Sequence, residues 1–245
     1  MSFGMSAIFS LLLAGPCGAA VLANYNFESG MPTGLRIKFG APQIAPFPGL
    51  GSQGLLLKTS PPSGSFLYSQ VQIPVPASPL GAYDKLDISF DFNFSGFQNR
   101  TLSDTDHVTL FLDAPEVNPL YFYSDGTTGC ISRSGAGASL ATFTFGVPHH
   151  FKISADTFAG KWSAWLDGSA LFTNANMSRP GHLSSIRFNL NDDIALTNAP
   201  FAMLDNIYVA SVPEPGISFL MLAGVLMVCS PRLRRAPTER VKVKM

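Results

Sequence analysis

The chain has 245 residues, 46% hydrophobic and 13% charged, with sixteen basic and sixteen acidic side chains. That is enough for one folded domain plus appendages, and too apolar for a disordered chain. The neutral sum hides a segregation: residues 1–23 carry no charged side chain, the stretch after Ser230 carries six bases against Glu239, and residues 24–211 hold fourteen acids against ten bases. A nucleic-acid binder is disfavoured, because the middle offers no basic face to neutralise phosphates.

From the N-terminus, the apolar run Ile8 to Ala14 is followed by the small residues Gly18, Ala19 and Ala20, then by Val21-Leu22-Ala23. This pattern predicts a signal peptide over 1–23, cut after Ala20 or Ala23 by signal peptidase once the export machinery has engaged it. The absence of Lys or Arg near Met1 departs from the usual charged start, and a buried helix is the alternative. Pro16 directly before Cys17 departs from a lipoprotein cysteine, so Cys17 is expected to leave with the signal.

Residues 24–211 are dominated by a period of two. Leu86, Ile88, Phe90, Phe92 and Phe94 alternate with Asp87, Ser89, Asp91 and Asn93, the signature of an antiparallel strand with one face on a core. Shorter alternations occur at Val108/Leu110/Leu112, Ala141/Phe143/Phe145, Phe151/Ile153 and Ile186/Phe188/Leu190. The proline-rich stretches around Pro42, Pro46 and Pro48 and around Pro74, Pro76 and Pro79 read as loops or edges, since proline lacks the amide donor. Asp125-Gly126 and Asp167-Gly168 are tight-turn pairs, the second predicting a hairpin between 162–166 and 170–172. No long amphipathic helix interrupts the series, so the class expected is all-β, an antiparallel two-sheet β-sandwich.

The chemistry-bearing residues are sparse. There is no Gly-x-Ser-x-Gly elbow, no His-Glu-x-x-His and no phosphate-cradling glycine loop. A glycosidase would need two carboxylates across the scissile bond, yet Glu28 and Glu116 are the only glutamates of the middle, and Asp104/Asp106 and Asp192/Asp193 read as solvated turn residues. His149 and His150, adjacent on a strand, point to opposite faces and do not share a ligand site. Cys130 is the one thiol of the middle, which excludes an internal disulfide and paired-cysteine zinc there; a half-buried strand or turn position is expected, with an intermolecular bridge as the alternative. The glycine/serine loop from Gly129 to Gly137, with Ser132, Arg133 and Ser134, reads either as a ligand contact or as filler. The positive cue is aromatic: Trp162, Trp165, Tyr121, Tyr123 and Tyr208 supply flat rings of the kind that stack on sugars. Trp162 and Trp165 differ by an odd number, so on one strand they face opposite ways.

Two stretches add a resemblance. His150 to Asp156 followed by Gly160 to Gly168 looks like the late strands of laminin-G or concanavalin-A-like jelly rolls. Asn26-Phe27-Glu28-Ser29-Gly30 and Leu204-Asp205-Asn206-Ile207-Tyr208-Val209 resemble the terminal strands of carbohydrate-binding jelly rolls. The resemblance implies a structural calcium served by Glu28 and Asp205, with backbone carbonyls completing its six to eight oxygens. The alternative is that both carboxylates are solvated or satisfy turn amides.

The C-terminal end has three parts: Val212-Pro213-Glu214-Pro215-Gly216, the apolar run 217–229, and the cluster Arg232-Leu233-Arg234-Arg235. At about 1.5 Å per residue the run reaches roughly 20 Å, short of a roughly 30 Å hydrocarbon core. The arginines behind it favour a cytoplasmic end and an outward-facing middle, in agreement with an N-terminal export signal. This order resembles the PEP-CTERM sorting signal of Gram-negative bacteria. The resemblance implies an exosortase as membrane partner, removal of the tail at the inner membrane, and display on the cell surface or in the extracellular matrix. Pro213, Glu214 and Pro215 would be substrate residues of that enzyme. The tail at 236–245 runs longer than usual after the arginines, and a plain C-terminal anchor is the alternative.

The organisation expected is therefore signal peptide 1–23, β-sandwich ectodomain 24–211, sorting signal 212–235 with a short transmembrane helix, and a basic cytoplasmic tail. The function expected is a non-catalytic surface or matrix protein that contacts exopolysaccharide. A jelly-roll glycan hydrolase or lyase and a purely structural biofilm-matrix protein are the alternatives.

Overall fold

The computed structural model describes residues 19–57, 67–76, 85–95, 107–113, 119–124, 127–133, 139–177, 181–192 and 201–212. All of them fall within one compact unit, Ala19–Val212. The expected signal core, Pro213 to Gly216, the apolar run and the arginine cluster lie outside the described residues. So do Asp104, Asp106, Glu116, Asp193 and the Asp125-Gly126 turn.

The described residues form strands and no helix. Two antiparallel sheets are built from them. The first runs, in spatial order, β13 (Ser169–Asn176), β12 (Lys161–Leu166), β11 (His149–Asp156), β6 (Lys85–Ser95), β15 (Phe201–Val212), β4 (Gln53–Leu57) and β3 (Gln43–Pro46), and β1 (Val21–Tyr25) also pairs with β15. The second runs β10 (Ala141–Phe143), β9 (Gly129–Ser132), β8 (Leu120–Ser124), β7 (His107–Asp113), β14 (Ser185–Asp192), β5 (Leu67–Pro74) and β2 (Arg36–Phe39).

The alternation in β6 decides the packing. Leu86, Ile88, Phe90, Phe92 and Phe94 are all buried and belong to one core cluster. Across the sandwich they meet Phe188 and Phe122, with Phe90–Phe188 centroids 4.9 Å apart and Phe92–Phe122 centroids 5.3 Å apart, both edge-to-face. Such pairs add roughly 0.5–1.5 kcal/mol each beyond the area they bury. The predicted hairpin at Asp167-Gly168 is present: both residues have positive φ, 48° and 80°, as a two-residue turn between twisted strands requires.

Two boundaries differ from the sequence reading. The sheet begins at Val21, inside the segment expected to be removed, and Ala23 is buried in the core. Ala20 is also tied to Ser211 through the Ser211 N–H, which donates to the Ala20 carbonyl. Cleavage after Ala20 leaves β1 whole, whereas cleavage after Ala23 would strip three of its five residues. Pro74 closes β5, an interior strand, where a loop or edge was expected. It is tolerated because the last pair with β2 is Arg36–Gln72, so Pro74 lies beyond the reach of that neighbour. Pro46 ends β3 at the edge of the first sheet, in line with expectation.

Candidate functional site

Each sheet has one face on the core and one face away from it, and the two outer faces differ in chemistry. On the second sheet, β7, β14 and β5 put Val108, Leu110, Ile186, Phe188, Leu190, Val71 and Ile73 inward. The intervening residues point outward, and pairing aligns them into rows. One row crosses six strands: Ser132 opposes Tyr121, Tyr121 opposes Thr109, Thr109 opposes Asn189, Asn189 opposes Gln70, and Gln70 opposes Phe39. Five strand spacings of about 4.8 Å give a span of about 24 Å.

This row contains no formal charge, and apart from Phe39 at its end, which is 56% exposed, it is withdrawn from solvent. Ser132, Thr109, Asn189 and Gln70 are buried although they point away from the core cluster, while Tyr121 is half-buried. The Gln70 Nε2 donates to Asn189 Oδ1 at 2.9 Å, which fixes both amides in one orientation. One flanking row is similar. Asn191 opposes both His107 and Tyr68, with its Nδ2 3.0 Å from His107 Nε2. Burial pushes the Tyr68 hydroxyl above its ordinary pKa, an effect the Arg187 charge partly offsets.

The charged pair on this face is internally matched. Arg187 holds Asp113 through two parallel contacts, Nε to Oδ2 and Nη2 to Oδ1, each 2.5 Å. Ser185 donates a further hydrogen bond to Asp113 Oδ2 at 2.6 Å. Arg187 also lies 4.7 Å from the Phe111 ring centroid. A carboxylate so engaged holds its oxygens as acceptors for a bidentate guanidinium and a hydroxyl, which leaves it poorly disposed to act as a nucleophile or general base.

The outer face of the first sheet is ionic. Lys152 Nζ lies 3.0 Å from Asp87, Lys85 Nζ 3.6 Å from Asp156, and His150 Nδ1 2.7 Å from Asp91. Trp165 sits there half-buried, with Lys152 Nζ 6.0 Å from its ring centroid. His149 and His150 do point to opposite faces, yet one carboxylate holds both: Asp167 accepts from the His150 backbone amide and lies 2.7 Å from His149 Nδ1.

The sequence candidates are therefore divided. Tyr121 and Tyr123 share the outward side of β8, Tyr123 being buried. Trp165 belongs to the other sheet's outer face. Trp162 faces inward, 2% exposed and packed in the core, so as a surface platform it is corrected. Its odd offset from Trp165 sends it there. Cys130 is buried rather than half-buried.

Glu28 and Asp205 are brought to one junction, where the neighbour of β15 changes from β4 to β1. A bulge between Asp205 and Tyr208, with Asn206 at φ 49°, turns the strand there. Asp205 is fully buried; its oxygens accept from Ser52 Oγ and the Asn206 amide, each at 2.7 Å, while Glu28 Oε1 accepts from the Gln53 amide at 2.8 Å. Burial raises the Asp205 pKa, the two hydrogen bonds lower it, and the charges of Asp91 and Glu28 raise it further. Asn93, also buried nearby on β6, has an Oδ1 without a partner. Among the described residues no group of three or more His, Cys, Asp or Glu side chains is placed to hold a metal ion. A cation here would take most of its shell from backbone carbonyls.

Gln70, Thr109, Asn189 and Asn191 were not singled out from the sequence. The signal was present: in 185–192 the residues alternating with Ile186, Phe188 and Leu190 are Arg187, Asn189 and Asn191, and in 67–74 Gln70 and Gln72 flank Val71.

No protein-family model and no curated protein matches the chain. Solved structures do share the fold. A carbohydrate esterase of the Shiga toxin-encoding bacteriophage phi24B is similar at 13% identity and TM-score 0.57, over 79% of this chain and 99% of that one. A seed lectin of Lotus tetragonolobus is similar at 14% identity and TM-score 0.51, over 80% of this chain and all of the lectin. A sialidase is similar at 16% identity and TM-score 0.56, but this chain spans only 19% of its length. The fold is thus an all-β, lectin-like jelly roll, and at these identities the likeness extends to the fold alone.

Proposed function

We propose that this protein is a non-catalytic, exported carbohydrate-binding protein that contacts polysaccharide through the outer face of its second sheet. The carrying observation is the row Tyr121–Thr109–Asn189–Gln70, uncharged, recessed and ordered by the Gln70–Asn189 hydrogen bond. Sugars present hydroxyls to planar amides and C–H faces to aromatic rings, and preordered amides lose little entropy on binding. Among the described side chains, the carboxylate on this face is Asp113, already matched by Arg187. A hydrolase needs two available carboxylates, so binding is the better-supported reading. The lectin likeness supports it at the level of fold.

The N-terminal signal and the PEP-CTERM-like tail supply the route in this reading. The chain is inserted in the inner membrane facing outward, cut by an exosortase and released to the cell surface or matrix. Alanine at Arg232, Arg234 and Arg235 together is expected to impair tail cleavage, followed by immunoblot of the precursor; unchanged cleavage contradicts the route.

Calcium at the Glu28–Asp205 junction completes the reading as a structural ion. Its support is electrostatic: Asp205 is buried beside two like-charged carboxylates, Asp91 and Glu28. Calcium is expected to raise the melting temperature of the wild type and not of Asp205→Asn.

The function is tested by binding of the full chain in detergent micelles to a panel of neutral and acidic polysaccharides. Retention on at least one polymer, lowered about tenfold by Tyr121→Ala, is expected. No retention on any polymer, or release of reducing sugar, overturns it.

A further inference from the structure

At one end of the two sheets lies an arginine whose Nε has no acceptor among the described residues. Arg133 follows β9 directly, at the end of the second sheet where β10, β9 and β8 lie, and it is half-buried. Its guanidinium carbon lies 4.9 Å from the Phe172 centroid and 5.5 Å from the Trp162 centroid, residues of β13 and β12 at the corresponding end of the first sheet. Trp162 and Phe172 meet edge-to-face at 4.6 Å, so the guanidinium rests on a fixed aromatic pair.

Two donors in this cluster are unsatisfied. Arg133 Nε and Trp162 Nε1 are both buried without a hydrogen-bond partner, and Trp162 is 2% exposed. Buried N–H groups are nearly always paired, so two orphans in one aromatic cluster call for a partner from outside the chain. The contrast with Arg187 is direct: that guanidinium also lies over a ring, Phe111, but its Nε and Nη2 are matched by Asp113. Arg133 repeats the aromatic seat without the carboxylate.

We infer that Arg133 and Trp162 form a receptor for an anionic substituent, a carboxylate or sulfate carried by a polysaccharide. A planar guanidinium seated on aromatic faces presents a fork that matches a two-oxygen anion, and its Nε–H is one tine of that fork. The indole N–H, a donor with no acceptor capacity, adds a second direction. General attraction does not produce this preference, because residues 24–211 are net acidic and repel a polyanion at long range. The inference rests on the binding reading above and specifies the class of polymer.

The test measures affinity of the full chain in detergent micelles for dextran, polygalacturonate and dextran sulfate. Wild type is expected to bind an anionic polymer at least tenfold tighter than dextran. Arg133→Gln is expected to abolish that preference, and Trp162→Phe, which keeps an aromatic side chain and removes the N–H, to reduce it about threefold while the protein remains folded by circular dichroism, its melting temperature lowered by the lost core volume. Loss confined to polygalacturonate assigns a carboxylate; loss on dextran sulfate as well assigns any oxyanion. Equal binding of dextran and both anionic polymers by wild type, or a preference that survives in Arg133→Gln and Trp162→Phe, overturns the inference. Absence of binding to every polymer in the wider panel instead overturns the binding reading itself.

Discussion

The outer faces of the two sheets are built from the same alternation and end in opposite chemistry. On the first sheet the outward positions are Asp87, Asp91, His150 and Lys152, joined in pairs that reach the solvent, which screens them. On the second the central row is Thr109, Asn189, Gln70 and Tyr121, uncharged and largely withdrawn from water, beside the Arg187–Asp113 pair. An ionic face is stabilised by solvent and gains little from a neutral ligand. A recessed amide face holds directed donors and acceptors where a sugar hydroxyl can exchange with little reorganisation. Under the binding reading proposed above, the contrast gives recognition to the second face.

The strongest way to break the comparison is at the buried amides. Asn189→Ala removes the acceptor for the Gln70 side chain and leaves a buried donor unpaired, so it is expected to destabilise by about 1–3 kcal/mol, a fall in melting temperature of several degrees by thermal denaturation. A loss below about 0.5 kcal/mol would show that this row is as solvated as the ionic face. Tyr121→Ala and Trp165→Ala then set the two faces against each other in binding. The first is expected to lose about tenfold in polymer affinity, near 1.4 kcal/mol, and the second less than twofold; the reverse result moves the site to the first sheet.

Asp205 sharpens the comparison, since it is a buried acid on the ionic sheet. Its folded-state pKa is raised, so its stabilising contribution is full below about pH 4 and is lost as pH rises through the folded value. In EDTA, Asp205→Asn is expected to melt above wild type at pH 7 and to converge with it near pH 4, as read by thermal melts across that range. A variant that melts below wild type at pH 7 without calcium would mean that the hydrogen bonds from Ser52 and Asn206 outweigh the repulsion. The smallest effect is expected at Lys152→Ala, within about 0.5 kcal/mol, because Lys152 and Asp87 are 45% and 33% exposed; a larger loss in chemical denaturation would give the ionic face a structural role.

The alternation in 86–94, the Asp167-Gly168 turn and the oddly spaced tryptophans made the sandwich and the opposite facing of Trp162 and Trp165 legible in the sequence, but not that Trp162 is the buried one. Local geometry fixes those features: strand period and turn dihedrals are properties of neighbouring residues. Register is of another kind. That Tyr121 shares a row with Asn189 and Gln70, that Arg133 comes to rest on Trp162 and Phe172, and that Asp205 is buried beside Glu28 and Asp91 depend on pairing between strands tens of residues apart. A single strand states only which of its residues lie on the same side. Which partners meet there is decided when the sheets assemble, because burial of one shared core admits one register for each pair.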